Sequence, residues 1–259
     1  MTDLGGGTDL DRILTLLWRH RNPPPGARTG RRPRLSVDEV VTAGIGIADT
    51  DGLEAASMAK VAARLGVGTM TLYTYVPSRT DLLELMVDQV LGSRELPGPG
   101  DPRPPHWRDQ IHLYADRTLA MFRDHPWLSR ISTVRPPLGP GLFREQEYVL
   151  SAVENSGLPL LKVNEAAGAV TMVVTSAARQ EGESVLLRRA SGQSTDAWWL
   201  ERSRFWEDWF DAGQHPTMTR IWDAGGFGGG TQEQAAARFA CGLRYVLDGI
   251  EREAAASRA

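Results

Sequence analysis

The chain has 259 residues, of which 41% are hydrophobic and 24% are charged, and its formal net charge is −3. This composition suits a globular protein of one large or two modest domains, and it argues against a protein that coats nucleic acid along its whole length. The single cysteine, Cys241, excludes an internal disulfide and is expected to be a small buried apolar residue.

No segment of the sequence predicts membrane insertion or export. The longest weakly polar run, residues 166–178, is too short to span a bilayer. The chain begins MTDLGGGTDLDR, which is acidic and rich in glycine where a secretory signal would be basic and then apolar. We therefore expect a cytoplasmic protein.

Residues 1–35 are expected to form an extension with a basic arm. A short amphipathic helix near its start would dock through Leu14, Leu17 and Trp18. The following segment, RNPPPGARTGRRPR, lies in a stretch that holds six arginines and no acidic residue between positions 19 and 34. Three of these are candidate DNA contacts, through phosphates or a minor groove: Arg31, Arg32 and Arg34. The alternative is a solvated tail without a role.

The first strong helix signal begins at Ser36. Glu39 follows three residues later, which is the spacing of a capping box, and Asp51-Gly52 ends the helix. Gly44 and Gly46 weaken a helix, so we expect them to allow close packing against the segment of residues 57–79.

The stretch SMAKVAARLGVGTMTLYTYVPSR, residues 57–79, predicts two short helices joined by a tight turn. Ser57 is a suitable N-cap for the first helix and Gly66 ends it, whereas Thr69 is expected to cap the second, which stops before Pro77. Leu72 and Val76 would anchor the second helix to the core. This is the pattern of a helix-turn-helix, in which the second helix enters the major groove. Taken alone, it is also the pattern of an ordinary pair of helices.

Residues 36–92 resemble the DNA-binding domain of the TetR family of transcriptional regulators, through VAARLGV, GTMTLYTYVPSR and the following DLLELMVDQVL in the same order. The resemblance implies a homodimer on a palindromic operator, and it makes the helix over residues 81–91 the connection to a ligand-binding domain. The DNA-contact candidates in this domain are Ser57, Lys60, Thr69, Met70, Thr71, Tyr73, Thr74, Tyr75 and Arg79. One departure is Ala59, beside Lys60, where the family often places an arginine.

Residues 93–105 are rich in proline and glycine and predict a linker or hinge between two domains. Beyond it, residues 106–259 are expected to form a larger helical domain for ligand binding and dimerisation, which makes the fold all-α. Its two longest predicted helices cover residues 161–189 and 231–254, and the family resemblance implies dimerisation through them. The alternative is that their apolar faces form only the core of one subunit.

Aromatic residues are concentrated over residues 195–210, which are expected to form one short helix. With other large side chains they are candidates for lining an apolar effector pocket, although core packing or a dimer contact would explain them equally. The candidates are Trp107, Tyr114, Phe122, Trp127, Met172, Trp198, Trp199, Phe205, Trp206 and Trp209.

The sequence contains no recognised motif for catalysis, metal binding or a cofactor, so neither a metal nor a cofactor is expected. The sequence therefore predicts a ligand-responsive DNA-binding regulator, a repressor in the family's commonest mode, released by a small apolar effector. An activator of the same fold is the first alternative. An enzyme or a protein-interaction module that uses the aromatic residues is the second.

Overall fold

The computed structural model describes residues 9–21 and 35–258, and within these ranges all regular structure is helical, which confirms the predicted all-α class. The helices are α1 (Leu10–Leu17), α2 (Val37–Asp51), α3 (Met58–Arg64), α4 (Thr69–Tyr75), α5 (Arg79–Gly92), α6 (Trp107–Asp124), α7 (Pro140–Glu154), α8 (Leu160–Ser191), α9 (Thr195–Glu201), α10 (Arg204–Asp208), α11 (Pro216–Asp223) and α12 (Thr231–Ala256). None of the described helices is long and apolar enough to cross a membrane. The predicted basic arm, Arg31, Arg32 and Arg34, lies outside the described residues.

Helix α2 begins with the predicted capping box. The Ser36 hydroxyl accepts from the Glu39 backbone N–H, and the Glu39 carboxylate accepts from the Ser36 N–H at 2.7 Å. A Cβ at Gly44 would lie 2.9 Å from the Met86 sulfur of α5, whereas a Cβ at Gly46 would face the Arg64 guanidinium of α3. The expected close packing is therefore present at Gly46, whereas Gly44 packs against α5 instead.

The helix boundaries at the turn between α3 and α4 are as predicted, except at the start of α4. Ser57 caps α3 by accepting from the Lys60 N–H, and Gly66 has a φ of +66°, which suits glycine at a helix stop. Thr69 does not cap α4. Gly68 is the N-cap without a side-chain hydrogen bond, and Thr69 is the first helical residue. Because Gly68 and not Thr69 is the N-cap, the turn is one residue shorter than predicted.

Helix α4 is held by two fully buried residues, Leu72 and Val76, each with 0% of its surface exposed. They pack into an apolar core formed with α2, α3 and α5. The short helix is fixed by tertiary contact, because seven residues are too few for a helix to be stable alone.

Helix α1 packs against α5 through a face turned slightly from the predicted one. Ile13 and Leu17 are buried, whereas Leu14 is only half-buried. Trp18 is half-buried and donates its indole N–H to the Leu138 carbonyl oxygen at 2.9 Å. The extension therefore begins with a docked helix that joins α5 to the loop before α7.

The stretch from 93 to 105 forms no helix, but it is not a free hinge. Arg94 and Leu96 are buried, with 4% and 5% of their surfaces exposed, and Arg103 donates to the Ser151 hydroxyl of α7 at 2.9 Å. The segment is thus packed onto the larger domain. The domain division at this segment remains a prediction.

The larger domain is built on α8, which packs against α6, α7 and α12. The predicted apolar stripe of α8, comprising Val163, Ala167, Val170, Val174 and Ala178, is buried. These residues lie in cores of the subunit itself, together with Leu243, Leu247 and Ile250 of α12. For these buried residues of α8 and α12, the alternative prediction is therefore correct: their apolar faces form the core of one subunit.

The prediction of one aromatic helix over residues 195–210 is wrong. The structure has two short helices there, α9 and α10, followed by α11. None of the residues 192–230, all of which are described, is buried.

Replacing Leu72 by alanine should lower the free energy of unfolding by about 2 to 5 kcal/mol, because it removes a fully buried side chain from the α4 anchor. Urea denaturation followed by circular dichroism measures the change. The matched control is Met70→Ala on the same helix, where 79% of the residue is exposed and the expected change is within about 0.5 kcal/mol. Equal effects of the two substitutions would contradict the described orientation of α4.

Candidate nucleic-acid interface and cavity

One surface of α4 carries side chains that can reach DNA. Met70, Thr71, Tyr73 and Thr74 are exposed, on the side opposite the buried Leu72. The Thr74 hydroxyl donates to the Thr71 carbonyl at 2.7 Å, so its oxygen remains able to accept. Hydroxyl groups can donate to phosphate oxygens or to base edges, whereas the Thr74 oxygen, whose proton is engaged by Thr71, can accept from a base-edge amino group.

The remaining α4 candidates are less accessible. Thr69 is half-buried at the first position of the helix, and Tyr75 is partly buried against the apolar core. Of the six predicted contact residues on α4, four are thus exposed and two are half-buried.

The two α3 candidates sit at the start of that helix. Ser57 is half-buried and its hydroxyl is used as the cap of α3. The Lys60 ammonium is exposed and lies 2.6 Å from a carboxylate oxygen of Asp51, and this hydrogen bond lowers the pKa of Asp51. An exposed ion pair contributes little, so a phosphate can replace the carboxylate as partner for Lys60.

Arg79 is the first residue of α5, as predicted, and its guanidinium is engaged within the domain. Its guanidinium donates to the carbonyl oxygens of Leu53 and Ala56, at 3.1 and 3.4 Å, and pairs with Glu54. It fastens the segment before α3 to the start of α5. A contact between Arg79 and a DNA phosphate stays a prediction.

A cavity of about 790 Å³ lies in the larger domain, between α5, α6, α7, α8 and the loop over residues 131–137. Its apolar lining includes Val87, Leu91, Met121, Phe122, Leu128, Ile131, Leu142, Val149 and Leu150. A volume of this size is typical of small-molecule sites. Because Val87 and Leu91 belong to α5, the cavity borders the helix that also packs against the DNA-binding helices.

One wall of the cavity carries a buried polar network. The Arg94 guanidinium donates to a Glu145 carboxylate oxygen at 2.5 Å and to the Thr118 hydroxyl at 3.0 Å. The Tyr114 hydroxyl donates to the other Glu145 oxygen at 2.7 Å, and burial raises the pKa of Tyr114. Arg94, Thr118 and Glu145 line the cavity, so a ligand there meets an ion pair within an apolar site.

The structure brings only some of the predicted ligand residues to this cavity. Phe122 and Met172 line it, and Tyr114 reaches it through Glu145. Trp107 and Trp127 are buried in the cores. The five aromatic residues predicted from the 195–210 segment do not line it. Trp198, Trp199, Phe205 and Trp209 are exposed, whereas Trp206 is half-buried.

The cavity opens along α8. Met172 lines it with 73% of its surface exposed, and Gly168 and Ser176 are lining residues that are also exposed. A ligand can therefore enter beside the outer face of this helix.

Asp49 of α2 joins the small domain to the larger one. One of its carboxylate oxygens accepts from the Trp127 indole N–H at 2.7 Å and lies 2.8 Å from Nδ1 of His125. Arg189, near the end of α8, donates to the Asp49 carbonyl at 3.0 Å. The segment with His125 and Trp127 lies between cavity-lining residues, Phe122 before it and Leu128 after it.

Comparison with known proteins gives consistent matches. Residues 101–254 match the family model of the tetracyclin repressor-like C-terminal domain. The HTH-type transcriptional repressor DrrR1 of Streptomyces coeruleorubidus is 35% identical over 250 residues, covering 96% of this chain and 88% of that protein. An HTH-type transcriptional regulator of Saccharopolyspora erythraea is 31% identical over 157 residues, covering 61% of this chain and 65% of that protein.

Comparison with solved structures gives matches of the same kind. Apo ActR of Streptomyces coelicolor superposes with a TM-score of 0.67 at 26% identity, covering 88% of this chain and all of that one. ActR in complex with actinorhodin gives a TM-score of 0.67 at 27% identity, covering 85% of this chain and 96% of that one.

Replacing Glu145 by glutamine should destabilise the protein by about 3 kcal/mol, because it leaves the Arg94 charge buried without its partner. Chemical denaturation measures the change. Glu147→Gln is the control, since Glu147 lies two residues further along α7 and is exposed. A stability unchanged by Glu145→Gln would show that the cavity wall is open to water.

Proposed function

The chain belongs to the TetR family of transcriptional regulators, and on that premise we propose that it represses transcription as a homodimer and releases its operator when a small molecule fills the cavity. The observation that carries the proposal is the exposed row of side chains on α4, held in place by the fully buried Leu72 and Val76. The family assignment makes the chain a regulator and not an enzyme.

The proposed DNA contacts come from α4 and the start of α3. The exposed Thr71, Tyr73 and Thr74 enter the major groove with Met70, and Thr69 and Tyr75 contribute at its edge. Lys60 and Ser57 contact phosphates. The basic residues Arg31, Arg32 and Arg34 supply further phosphate or minor-groove contacts, as the sequence predicts.

Dimerisation is proposed through the outer faces of α8 and α12. The inner faces are occupied by the subunit core, so the pairing surface consists of the residues opposite. These are small or apolar and exposed: Ala169, Met172, Ala236 and Ala240. Small residues allow helices of two subunits to approach closely. Two-fold symmetry then presents the two α4 helices to inverted half-sites.

The proposed effector is a small, largely apolar molecule that also forms hydrogen bonds. Most of the lining is apolar, which favours burial of apolar surface, and Arg94 and Glu145 offer a donor and an acceptor. ActR, which shares the fold, has been seen with actinorhodin and with (S)-DNPA. The effector acts only to the extent that it binds the operator-free arrangement more tightly.

Operator binding tests the first part of the proposal. On the DNA upstream of its own gene, the purified protein should protect two inverted blocks about one helical turn, or a multiple of it, apart. Affinity should fall by orders of magnitude between about 50 and 200 mM salt. Thr71→Ala and Tyr73→Ala should each weaken binding at least about fivefold, because each removes a hydrogen bond that contributes about 1 kcal/mol or more.

The control for these variants is Thr15→Ala, which removes an exposed hydroxyl from α1 and should leave DNA binding unchanged. Stability should be unchanged in all three variants. If the α4 variants bind as tightly as the unaltered protein, the groove assignment is wrong.

Effector release tests the second part. Multi-ring apolar compounds, beginning with actinorhodin, are screened for a rise in Tm, and each binder is added to the protein–operator complex. Binders should lower operator affinity. Gly168→Leu should abolish their binding, because it places a side chain at the cavity, where a Cβ meets no atom within 4 Å and the helix tolerates leucine.

Gly249→Leu is the matched control, since a Cβ there also meets no atom within 4 Å and the residue does not line the cavity. A compound that fills the cavity, is excluded by Gly168→Leu and leaves operator affinity unchanged would refute effector-controlled release.

A further inference from the structure

Helix α1 lies outside both parts of the chain that carry the family likeness. The DNA-binding resemblance begins at residue 36, and the match to the C-terminal family model begins at residue 101. Helix α1 has eight residues, which are too few for a helix to be stable alone, so its structure depends on what it contacts. These contacts belong to the DNA-binding helices and to the larger domain, and the proposed function uses none of them.

One side of α1 is fixed to the DNA-binding helices. Ile13 and Leu17 are buried in the apolar core that also holds the inner faces of α2, α4 and α5. Just beyond the helix, the Arg19 guanidinium donates to the Asp38 carboxylate of α2, with Nε at 3.0 Å. The same guanidinium donates to the Leu16 carbonyl oxygen at 2.9 Å, so it also closes the end of α1. Apolar burial and an ion pair together hold α1 to this domain.

The other side of α1 is fixed to the wall of the cavity. The Trp18 indole N–H donates to the Leu138 carbonyl oxygen at 2.9 Å, and its ring lies 6.1 Å from the Phe143 ring of α7, measured between centroids. Leu138 directly follows two prolines that line the cavity, and Phe143 directly follows Leu142, which also lines it. Trp18 therefore contacts the chain segment that encloses the cavity on this side.

Between these two attachments, α5 meets the start of α7 in a contact that we name the α5–α7 seam, formed by residues 88–92 and 139–142. A Cβ at Gly141 would lie 2.1 Å from the Asp88 carbonyl oxygen and 2.8 Å from the Gly92 nitrogen, so the two backbones touch. The Asp88 carboxylate accepts from the Leu142 N–H at 3.0 Å. It thereby caps α7, whose own N-cap, Gly139, has no side chain. A movement of α7 away from α5 must break these contacts.

The charge of Arg19 also reaches the seam. Burial raises the pKa of Asp88, whereas the N–H groups of Leu142 and Gly141 and the charge of Arg19 lower it. Arg19 is thus close to Asp88 of α5 as well as to Asp38 of α2. Two consecutive residues after α1 therefore bridge the seam, because Trp18 holds the cavity wall and Arg19 holds the DNA-binding helices.

These contacts favour the arrangement in which the seam is closed. A contact that is present in one arrangement and absent from another shifts the equilibrium toward the first by its own free energy. A molecule that needs more room in the cavity pushes the loop before α7, or Leu142, away from α5. It must then break the Trp18 contacts as well as the bond between Asp88 and the Leu142 N–H.

We propose that α1 is a strap across the α5–α7 seam, in which Trp18 holds the cavity wall to the DNA-binding helices and so favours the operator-binding arrangement. Trp18 is a positioning residue, since it acts through α5 and α7 and not on DNA or on the effector. The strap sets how much differential affinity an effector must supply before the operator is released. The proposal rests on the proposed function and adds a regulatory role for the start of the chain.

Hydrogen exchange of the full-length protein without effector, followed by mass spectrometry, tests the strap. Trp18→Ala and Phe143→Ala each remove one side of the ring contact, and Phe143 is exposed, so its replacement should leave the fold intact. Amides of the seam should exchange at least about threefold faster in both variants, because each loses a contact of about the strength of one hydrogen bond. Thr15→Ala is the control, since the Thr15 hydroxyl bonds within α1, and it should leave the exchange unchanged.

The double variant distinguishes a strap from two unrelated packing contacts. If Phe143 acts through Trp18, the combination of Trp18→Ala with Phe143→Ala should exchange no faster at the seam than Trp18→Ala alone. Additive increases in exchange would show that the two residues act separately and would overturn the strap.

Operator binding by the same variants provides a readout that a purely structural role would not change. Trp18→Ala and Phe143→Ala should each weaken operator affinity at least about threefold, with the salt dependence of binding unchanged because no phosphate contact is lost.

Unchanged seam exchange overturns the strap and leaves the proposed function standing. Faster exchange combined with the operator affinity of the Thr15→Ala control has the same meaning. A weaker salt dependence would assign the effect to the basic residues that follow α1 and would also overturn the strap. If the unaltered protein binds no operator, the proposed function fails, and the exchange result alone decides whether α1 holds the seam.

Discussion

The contact on which the architecture depends is the Asp49 carboxylate, which bonds to Trp127 and His125 at 2.7 and 2.8 Å. It joins α2 of the DNA-binding helices to the segment that follows α6. The apolar core continues through the same place, since Phe122, Leu128 and Ile131 pack with the residues that anchor α4. Close-packed interiors transmit displacement because they have little free volume. The two domains therefore act as one mechanical unit, and a change in cavity volume occurs beside the contact that orients α2.

The two sides of helix α4 have different roles. One side anchors the helix to the core, and the other carries the proposed DNA contacts. Leu72 and Val76 fix the helix, so its backbone needs no further ordering on DNA and only the exposed side chains lose freedom there. Threonine and tyrosine lack the paired donors and acceptors with which arginine or asparagine reads a base, and Ala59 removes one position where the family often has arginine. With the proposed contacts, discrimination between operators would depend more on DNA shape and on phosphate contacts.

The sequence predicted the features that depend on local chemistry. The Ser36–Glu39 box, the stop at Gly66 and the buried stripe of α8 each follow from a spacing of three or four residues. It did not predict the Arg94–Glu145 pair, because the partners are 51 residues apart and Arg94 stands in a proline-rich stretch that resembles a linker. Nor did it predict that the aromatic residues between α8 and α12 lie at the surface of the subunit. Aromatic residues indicate burial, but a sequence does not say whether the same subunit or another one provides the cover.

An isolated subunit leaves a large apolar surface in contact with water, and the aromatic residues between α8 and α12 form part of that surface. Exposed Trp198, Trp199, Phe205, Trp209 and Trp222 add to exposed Leu160, Leu161 and Met172, far more apolar surface than a monomer normally leaves to water. Each buried methylene-sized portion is worth about 0.8 kcal/mol, so covering even part of this surface stabilises an assembly substantially. When folding and association share the same apolar surface, the stability of the fold depends on protein concentration.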